Sequence, residues 1–335
     1  MSLISVVIPV FNEEGNLEAL HQRLAALETG GGDRYEFLFV DDGSRDSSRE
    51  IIRRLAAADP RVRYLFFSRN FGHEQATTAG LDQVRGDAAV LIDSDLQDPP
   101  ELIPEMVRKW REGNQVVYAQ RRARKGESIF KRATSWFFYR VVRAMSDCDI
   151  PQDTGDFRLM DRRVVAAFRR CRERNRFVRG LVAWTGFRQV GVPYDRDERL
   201  SGRTKYGVIK LMRLAFDAIL GFSTLPLRLG LILGLLVSAV AFVEMCRVLY
   251  QKFFTGLAIP GYALQTAAIL LLGGVQLVVI GLVGSYVGRI YRQGQSRPLY
   301  IVAEESEDAA SAPAAANGDP RESPGGERGR GESTR

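Results

Sequence analysis

Two aspartates one residue apart, Asp93-Ser94-Asp95, follow a short apolar run. Carboxylates at that spacing point side by side once a strand end leaves its pleat. They can then hold a hard cation through oxygen, and magnesium or manganese bridging a diphosphate is the natural case. Such a cation stabilises charge on departing phosphate oxygens. The same pair is also compatible with solvated loop acids. Asp41-Asp42-Gly43-Ser44 ends another apolar run. One of its carboxylates can accept from a base or a ribose, and a turn leading into a capped helix through Asp46-Ser47-Ser48 explains the same residues. Pro9-Val10-Phe11-Asn12-Glu13 ends the first run. Phe11 is available to stack and Glu13 to hold hydroxyls, and a helix start with acidic first-turn residues is the other reading. Arg199-Leu200-Ser201-Gly202-Arg203-Thr204-Lys205 offers three cations, two hydroxyls and a glycine. Such a loop can close over a diphosphate, while Arg203 also fits a basic membrane flank.

The elements that must position these residues alternate in a βα rhythm. Leu3–Val10, Tyr35–Val40, Val62–Phe67, Ala88–Ile92 and Gln115–Ala119 read as strands. Glu14–Leu27, Ser47–Ala58, Glu74–Val84 and Pro100–Glu112 read as helices. Short apolar strands alternating with helices predict an α/β fold, a parallel sheet with helices on both faces. Ligands of such sheets bind beyond the carboxyl ends of the strands, where the acidic clusters stand.

The chain of 335 residues carries a net charge of +7. From Glu304 onward eight acidic and four basic residues give −4, which leaves +11 on the rest. A basic body suits phosphates, nucleic acid or an anionic membrane surface. Cys148, Cys171 and Cys246 are scattered and without a CxxC, which argues against a disulfide framework or a zinc site. With only His21 and His73, a histidine-rich metal site is excluded. The N-terminus has no basic n-region and its apolar run stops at Pro9, unlike a signal peptide.

Residues 129–145 and 208–222 are amphipathic, with basic residues on one face. Each reads either as a core-facing helix with a solvated face or as a membrane-surface helix. Leu229–Val243 is free of charge, and no charged residue occurs from Phe253 to Gly288. Residues 226–250 and 262–288 are therefore expected to span a membrane. The second segment, ~40 Å long as a helix, exceeds a ~30 Å hydrocarbon core. A buried helical hairpin is the alternative. Lys210, Arg213 and Arg228 before the first span, and Arg289, Arg292 and Arg297 after the second, place both ends in the cytoplasm. The tail 304–335 reads as disordered from its Ala, Gly, Pro, Ser and charge content.

Taken in order, PVFNEEGNL (9–17), VDDGSRDSS (40–48), SRNFGHEQA (68–76), DSDLQDPPE (93–101), DTGDFRLMDR (153–162) and RLSGRTKYG (199–207) resemble glycosyltransferase family 2. The resemblance is to its polyprenyl-phosphate branch, bactoprenol glucosyltransferases and dolichol-phosphate mannose synthases. It implies a GT-A catalytic domain with a mainly parallel sheet over 1–207, a juxtamembrane amphipathic helix over 208–225 and two transmembrane helices in the inner membrane. By position, Pro9, Phe11, Glu13, Val40 and Asp42 match nucleoside-binding residues. Asp93, Ser94 and Asp95 match the diphosphate–metal motif, with Gln97 as a further ligand for Mg2+ or Mn2+. Arg122, Arg199 and Lys205 match residues that hold the donor diphosphate. Phe11 stands where Tyr is commoner, which keeps the ring and loses a hydroxyl.

The activity implied is inverting transfer of a sugar from a nucleotide-sugar donor to a polyprenyl phosphate. UDP-glucose and undecaprenyl phosphate are favoured, and GDP-mannose or a UDP-amino sugar are the alternatives. Catalytic weight falls on Asp156, Arg199 and Lys205. Asp156 is the family's candidate base, yet a phosphate monoester with a second pKa near ~6 is already mostly a dianion. Asp156 is therefore expected to orient a cation, Arg158 or Lys205. Membrane lipids are expected partners and nucleic acid is not; a homo-oligomer is compatible with the sequence. A processive synthase is disfavoured because no Gln-x-x-Arg-Trp motif occurs, and a dehydrogenase because GxGxxG is missing. A membrane scaffold with an inert domain is the non-enzymatic alternative.

Overall fold

The computed structural model describes residues 1–27, 32–121, 154–174, 176–194, 225–250, 254 and 261–306. Its first half follows the expected rhythm: β1 (Leu3–Val10), α1 (Leu17–Ala25), β2 (Arg34–Asp41), α2 (Ser48–Ala58), β3 (Val62–Phe67), α3 (His73–Gln83) and β4 (Ala88–Leu91). A 3-10 turn (Pro100–Leu102) leads into α4 (Ile103–Arg111) and β5 (Val116–Arg121). Beyond lie β6 (Thr154–Asp161), α5 (Arg162–Arg170), α6 (Val178–Trp184), β7 (Gln189–Tyr194), α7 (Leu225–Tyr250), α8 (Tyr262–Gly294) and β8 (Val302–Glu305).

The eight strands form one sheet in the order β7-β5-β6-β4-β1-β2-β3-β8. β1 pairs in parallel with both β2 and β4, and β2 with β3. The order turns at β1, so the carboxyl ends of β1, β2 and β4, the three acidic ends, lie side by side. Both faces are covered. Ile4, Val6, Ile8 and Val10 join Phe37, Phe39, Leu17, Leu20 and Leu24 in one core. Val7, Leu38, Val40, Leu65 and Phe67 face a second core with Ala76, Ala79, Val164, Phe168 and Leu181. Strands buried on both faces read as continuous apolar runs, and at ~1.5–3 kcal/mol per buried aliphatic or Phe side chain the two cores dominate the fold's stability. α3 lies on β1 and β2 at unusually short range. A Cβ on Gly80 would stand 2.1 Å from Val7 Cγ1 and 3.3 Å from Val40 Cγ2, so only glycine lets α3 sit there and present His73 at the strand ends.

The sheet is mostly parallel, as expected, with β6 running antiparallel between β4 and β5 and β8 antiparallel to β3. The structure corrects two expectations. α1 starts at Leu17 rather than Glu14, since Glu13–Asn16 form a turn closed by Asn16 N–H to Glu13 C=O, 2.9 Å. The tail does not begin at Glu304. Glu304 and Glu305 lie in β8, opposite Phe66 and Leu65. Arg53 donates to both oxygens of Glu304, 2.9 and 2.7 Å. Tyr300 stacks on Phe67, centroids 5.2 Å apart, and donates to Asp82, 3.0 Å.

α7 covers the first expected span, and α8 runs on past residue 288 to Gly294. Among the described residues one stretch, Leu271–Gly294, is long and apolar enough to cross a membrane; α7 carries a shorter apolar stretch, Leu229–Glu244. The amphipathic segments 129–145 and 208–222 lie outside the described residues.

If β8 is part of the sheet, Tyr300→Ala should cost about 2–3 kcal/mol, a little less than a fully buried aromatic. Thermal melting of the purified protein should then fall by roughly 5–10 °C. Removal of residues 307–335 should move the midpoint by less than roughly 2 °C. An unchanged midpoint for Tyr300→Ala would show that the segment after α8 contributes nothing to the sheet.

Candidate active site

The ends of β1 and β2 are knitted together by reciprocal bonds between side chains and backbone. Asn12 N–H donates to Ser44 Oγ (2.9 Å), Glu13 N–H to Ser48 Oγ (3.1 Å) and Glu14 N–H to Asp46 (3.2 Å). In return Arg45 N–H donates to Asn12 Oδ1 (2.8 Å) and Ser47 N–H to Glu14 (2.9 Å). The clasp holds Asn12 at φ +56° and leaves Phe11 44% exposed, a ring free for stacking.

Asp41 and Asp42 face inward. Asp41 is fully buried and accepts from Gly43 N–H, Ser44 N–H and Arg49 Nε, the last at 2.6 Å. Asp42 accepts from Phe71 N–H (2.6 Å) and Gly72 N–H (2.9 Å), which pins loop 68–72 over the end of β2. Burial raises its carboxyl above the usual range, and those two amides offset part of the rise. Gly43 has φ +76°, and a Cβ there would lie 2.5 Å from the backbone of Arg69 and Asn70. The turn offered as one reading of Asp41–Ser48 is thus present. Val40, expected near a nucleoside, is wholly buried and faces Gly80, so its side chain serves packing.

Pro9 sits where the β1–β4 ladder has already ended at Val7–Leu91, so its missing N–H costs nothing. Its carbonyl accepts from Ser94 Oγ at 3.0 Å, which fixes the turn after β4. Asp93 therefore leaves the strand at a set angle. Asp95 bends back and accepts from Gln97 N–H at 3.1 Å around Leu96, φ +59°. Gln97 is 7% exposed.

β6 brings the remaining acid. Leu91 pairs with Arg158 in the antiparallel register, so Asp156 stands two residues beyond the end of β4, beside Asp93. His73 Nε2, at the start of α3, lies 3.4 Å from Asp156 Oδ2 and 3.8 Å from Asp93 Oδ1. Arg179, in the first turn of α6, donates Nε and Nη2 to the two oxygens of Asp156 at 2.7 and 3.0 Å. Half-buried Glu74 receives Val178 N–H at 2.8 Å, which locks α6 against α3. Among the described residues Asp156 pairs with Arg179; Arg158, one of the two cations expected beside it, is 3% exposed and donates to the carbonyls of Gly155 and Asp156, and Lys205, the other, lies outside the described residues.

Electrostatics follow from this crowding. The donor atoms of His73, Asp93 and Asp156 all lie within 4.8 Å of one another. At an effective dielectric of 20 two carboxylates at that separation repel by about 3 kcal/mol, and a cation between them more than offsets it. For His73, burial would lower the pKa, but the hydrogen bond to Asp156 and the charges of Asp93 and Asp156 outweigh it and raise it to about 9. Burial raises the Asp93 carboxyl, His73 opposes the rise, and Asp156, Asp98 and Asp95 add to it, leaving it at about 6. Asp156 is pushed up by burial, yet Arg179 and His73 hold it well below the usual carboxylate range.

The cluster that geometry could close around one ion is thus His73, Asp93 and Asp156, and Asp95 stands outside it. Hard carboxylate oxygens with excess negative charge suit magnesium or manganese. Phe11, Glu13, Asp42, Asp93, Ser94, Asp95, Gln97 and Asp156 converge on one edge of the sheet. Arg122, Arg199 and Lys205 lie outside the described residues. His73, Glu74 and Arg179 were not singled out from the sequence. The available signal for Arg179 is a cation in a helix's first turn, where the dipole disfavours it unless an acid is near.

Residues 5–168 match the glycosyl transferase family 2 profile. An uncharacterized glycosyltransferase, YkcC of Bacillus subtilis, is 51% identical over 89% of this chain and 92% of its own length. The prophage bactoprenol glucosyl transferase homolog of Escherichia coli is 42% identical over 89% and 98%. The bactoprenol glucosyl transferase of Shigella phage SfX is 41% identical over the same shares. The mostly parallel sheet with acidic strand ends is GT-A-like. Alignment with these relatives along most of its length shows that the chain belongs to glycosyl transferase family 2.

Proposed function

We propose that the protein transfers glucose from UDP-glucose to a polyprenyl phosphate, undecaprenyl phosphate in a bacterial membrane, with inversion at the anomeric carbon. The observation that carries this is the convergence of Asp93, Asp156 and Arg179 at the carboxyl ends of the central strands. The names of the 41–42% identical relatives support the sugar and the lipid.

Phe11 offers its exposed ring to the uracil, and Glu13 its carboxylate to the ribose. Asp93 would hold Mg2+ or Mn2+ against the diphosphate, and Asp95, with Gln97 close by, would join it by turning away from Gln97 N–H, where it stands outside the cluster. Bound there, the ion would neutralise charge on the departing phosphate oxygens. A phosphate oxygen of the lipid forms the new bond to the anomeric carbon as the bond to UDP breaks, and UDP leaves with the electron pair. Arg122, Arg199 and Lys205 are proposed to hold the diphosphate. No proton need be removed from a dianionic acceptor. Asp156, both oxygens engaged by Arg179, acts by positioning rather than as a base.

The membrane arrangement is part of the same proposal. α7 and α8 are apolar and outward-facing: Leu231, Leu235, Leu271 and Leu277 are each more than 60% exposed, an untenable surface in water. Both helices are proposed to cross the bilayer, with both ends and the catalytic domain in the cytoplasm.

Purified protein given a panel of nucleotide-sugars and undecaprenyl phosphate should form a lipid-linked hexose from UDP-glucose, read by mass spectrometry. Turnover should vanish with excess EDTA and in Asp95→Asn; full activity in EDTA would exclude the metal. For Asp156→Asn, kcat should fall on the order of 10²–10³-fold, equally at about pH 6.5 and about pH 8.5, both above the acceptor's second pKa of ~6. A loss confined to the lower pH would make Asp156 a general base instead. In sealed right-side-out cells a C-terminal tag should resist protease, and its cleavage would refute the topology.

A further inference from the structure

We propose that Arg179 receives the phosphate of the lipid acceptor, with Asp156 holding its guanidinium in place. The assignment rests on the function proposed above and adds the acceptor's contact to it.

The argument begins with charge. A phosphate that is mostly dianionic at neutral pH must approach an edge crowded with Asp93, Asp95, Asp98 and Asp156. Each of those carboxylates repels it by a few kcal/mol at an effective dielectric of about 20. A cation at the point of entry is required. Three described cations stand near the cluster. His73 lies between Asp93 and Asp156 and balances those two. Arg158 is 3% exposed and directed at backbone carbonyls. Arg179 is the one of the two arginines that combines direct contact with the Asp156 carboxylate and a partly accessible side chain, 32% exposed. A planar guanidinium matches a phosphate through paired N–H donors, so Arg179 can bridge Asp156 and the incoming headgroup.

The chain path supplies a second, independent observation. The segment leading into α6 is tied to the end of the membrane-length helix. Arg174 N–H donates to Gln293 Oε1 (2.9 Å), Gln293 Nε2 to the Arg172 carbonyl (3.2 Å), and Arg174 Nη1 to the Arg297 carbonyl (3.2 Å). Val178 N–H is anchored on Glu74. Arg179 is thus carried on a segment fixed at one end to the helix whose apolar stretch ends at Gly294, and at the other to α3 of the catalytic domain. A headgroup whose isoprenoid chain stays in the bilayer presents itself at that level. An arginine that only neutralised Asp156 would need no such tether.

The test uses the full-length protein in detergent. Loss of one charge-assisted contact, about 1.5–3 kcal/mol, should raise the acceptor KM of R179Q roughly 10–100-fold, while the UDP-glucose KM stays within about 2-fold. In the D156N background R179Q should still raise the acceptor KM. Without turnover, titration calorimetry should show the wild type binding farnesyl phosphate in preference to farnesol, and R179Q losing that preference. Were R179Q to lose UDP binding through misfolding, R179K, which keeps the charge without the fork, should still raise the acceptor KM several-fold. An unchanged acceptor KM in an active R179Q, or in R179K, would overturn the assignment alone, as would an effect of R179Q that disappears in D156N. A wild type that binds UDP-glucose but transfers to no polyprenyl phosphate would overturn the parent function and this assignment with it.

Discussion

The antiparallel pairing of β6 with β4 sets the chemistry of this protein. A parallel neighbour would bring its carboxyl end to the site. β6 brings its amino end, and the register opposite Leu91 places Asp156 against Asp93. Two carboxylates within 4.8 Å, with Asp95 and Asp98 nearby, are not a stable arrangement alone. Cations must be supplied, and the fold supplies them from two helices on the same face. α3 delivers His73 and α6 delivers Arg179, while Glu74 fastens one helix to the other. The cost of gathering these acids makes sense where a cation and a polyanionic substrate are to be bound.

Much of the remaining structure keeps that edge in register. Gly80 lets α3 approach β1 closely enough for His73 to reach the acids. Asp42 pins the loop that ends in His73, and Phe67 connects that loop to the chain beyond the apolar helix. Its carbonyl accepts from Arg49 at 2.6 Å, and its ring meets Phe71 edge-on at 5.6 Å and Tyr300 face-on at 5.2 Å. Residues 300–306 are thus packed against the strand that leads directly into the site. The end of α8 is bound to the catalytic domain twice, through β8 and through the Arg172–Arg174 segment. A domain held at two points cannot swing freely about its apolar helix, which suits the lipid-borne acceptor proposed above.

The sequence disclosed the parts whose physics is local. β1, β2 and β3 are buried on both faces, so their apolar runs could be read directly, and each acidic cluster stood at a strand end. β6 and its direction could not be read, because its pairing with β4 is settled by non-local contacts. β8 was hidden by composition: four residues, two of them Glu, beside a tail rich in Ala, Gly and charge. The pairing of Asp156 with Arg179 was out of reach for the same reason as β6. Arg179 is distant in sequence, and only the tertiary fold decides which of many arginines meets that carboxylate. The resemblance to family 2 pointed to Asp93, Asp95 and Asp156 but said nothing of His73, which the structure brings against two of them.

The account holds that the acid cluster exists to bind a divalent cation together with the donor diphosphate. Titration of Mn2+ into the full-length protein, followed by the electron paramagnetic resonance signal of the free ion, tests this without any turnover. The account predicts one bound Mn2+ per chain, bound at least 10-fold more tightly when UDP is present, as shared ligation of one ion requires (about 1.4 kcal/mol of coupling). It predicts loss of that site in Asp93→Asn. Mn2+ binding that is indifferent to both UDP and Asp93→Asn would contradict it.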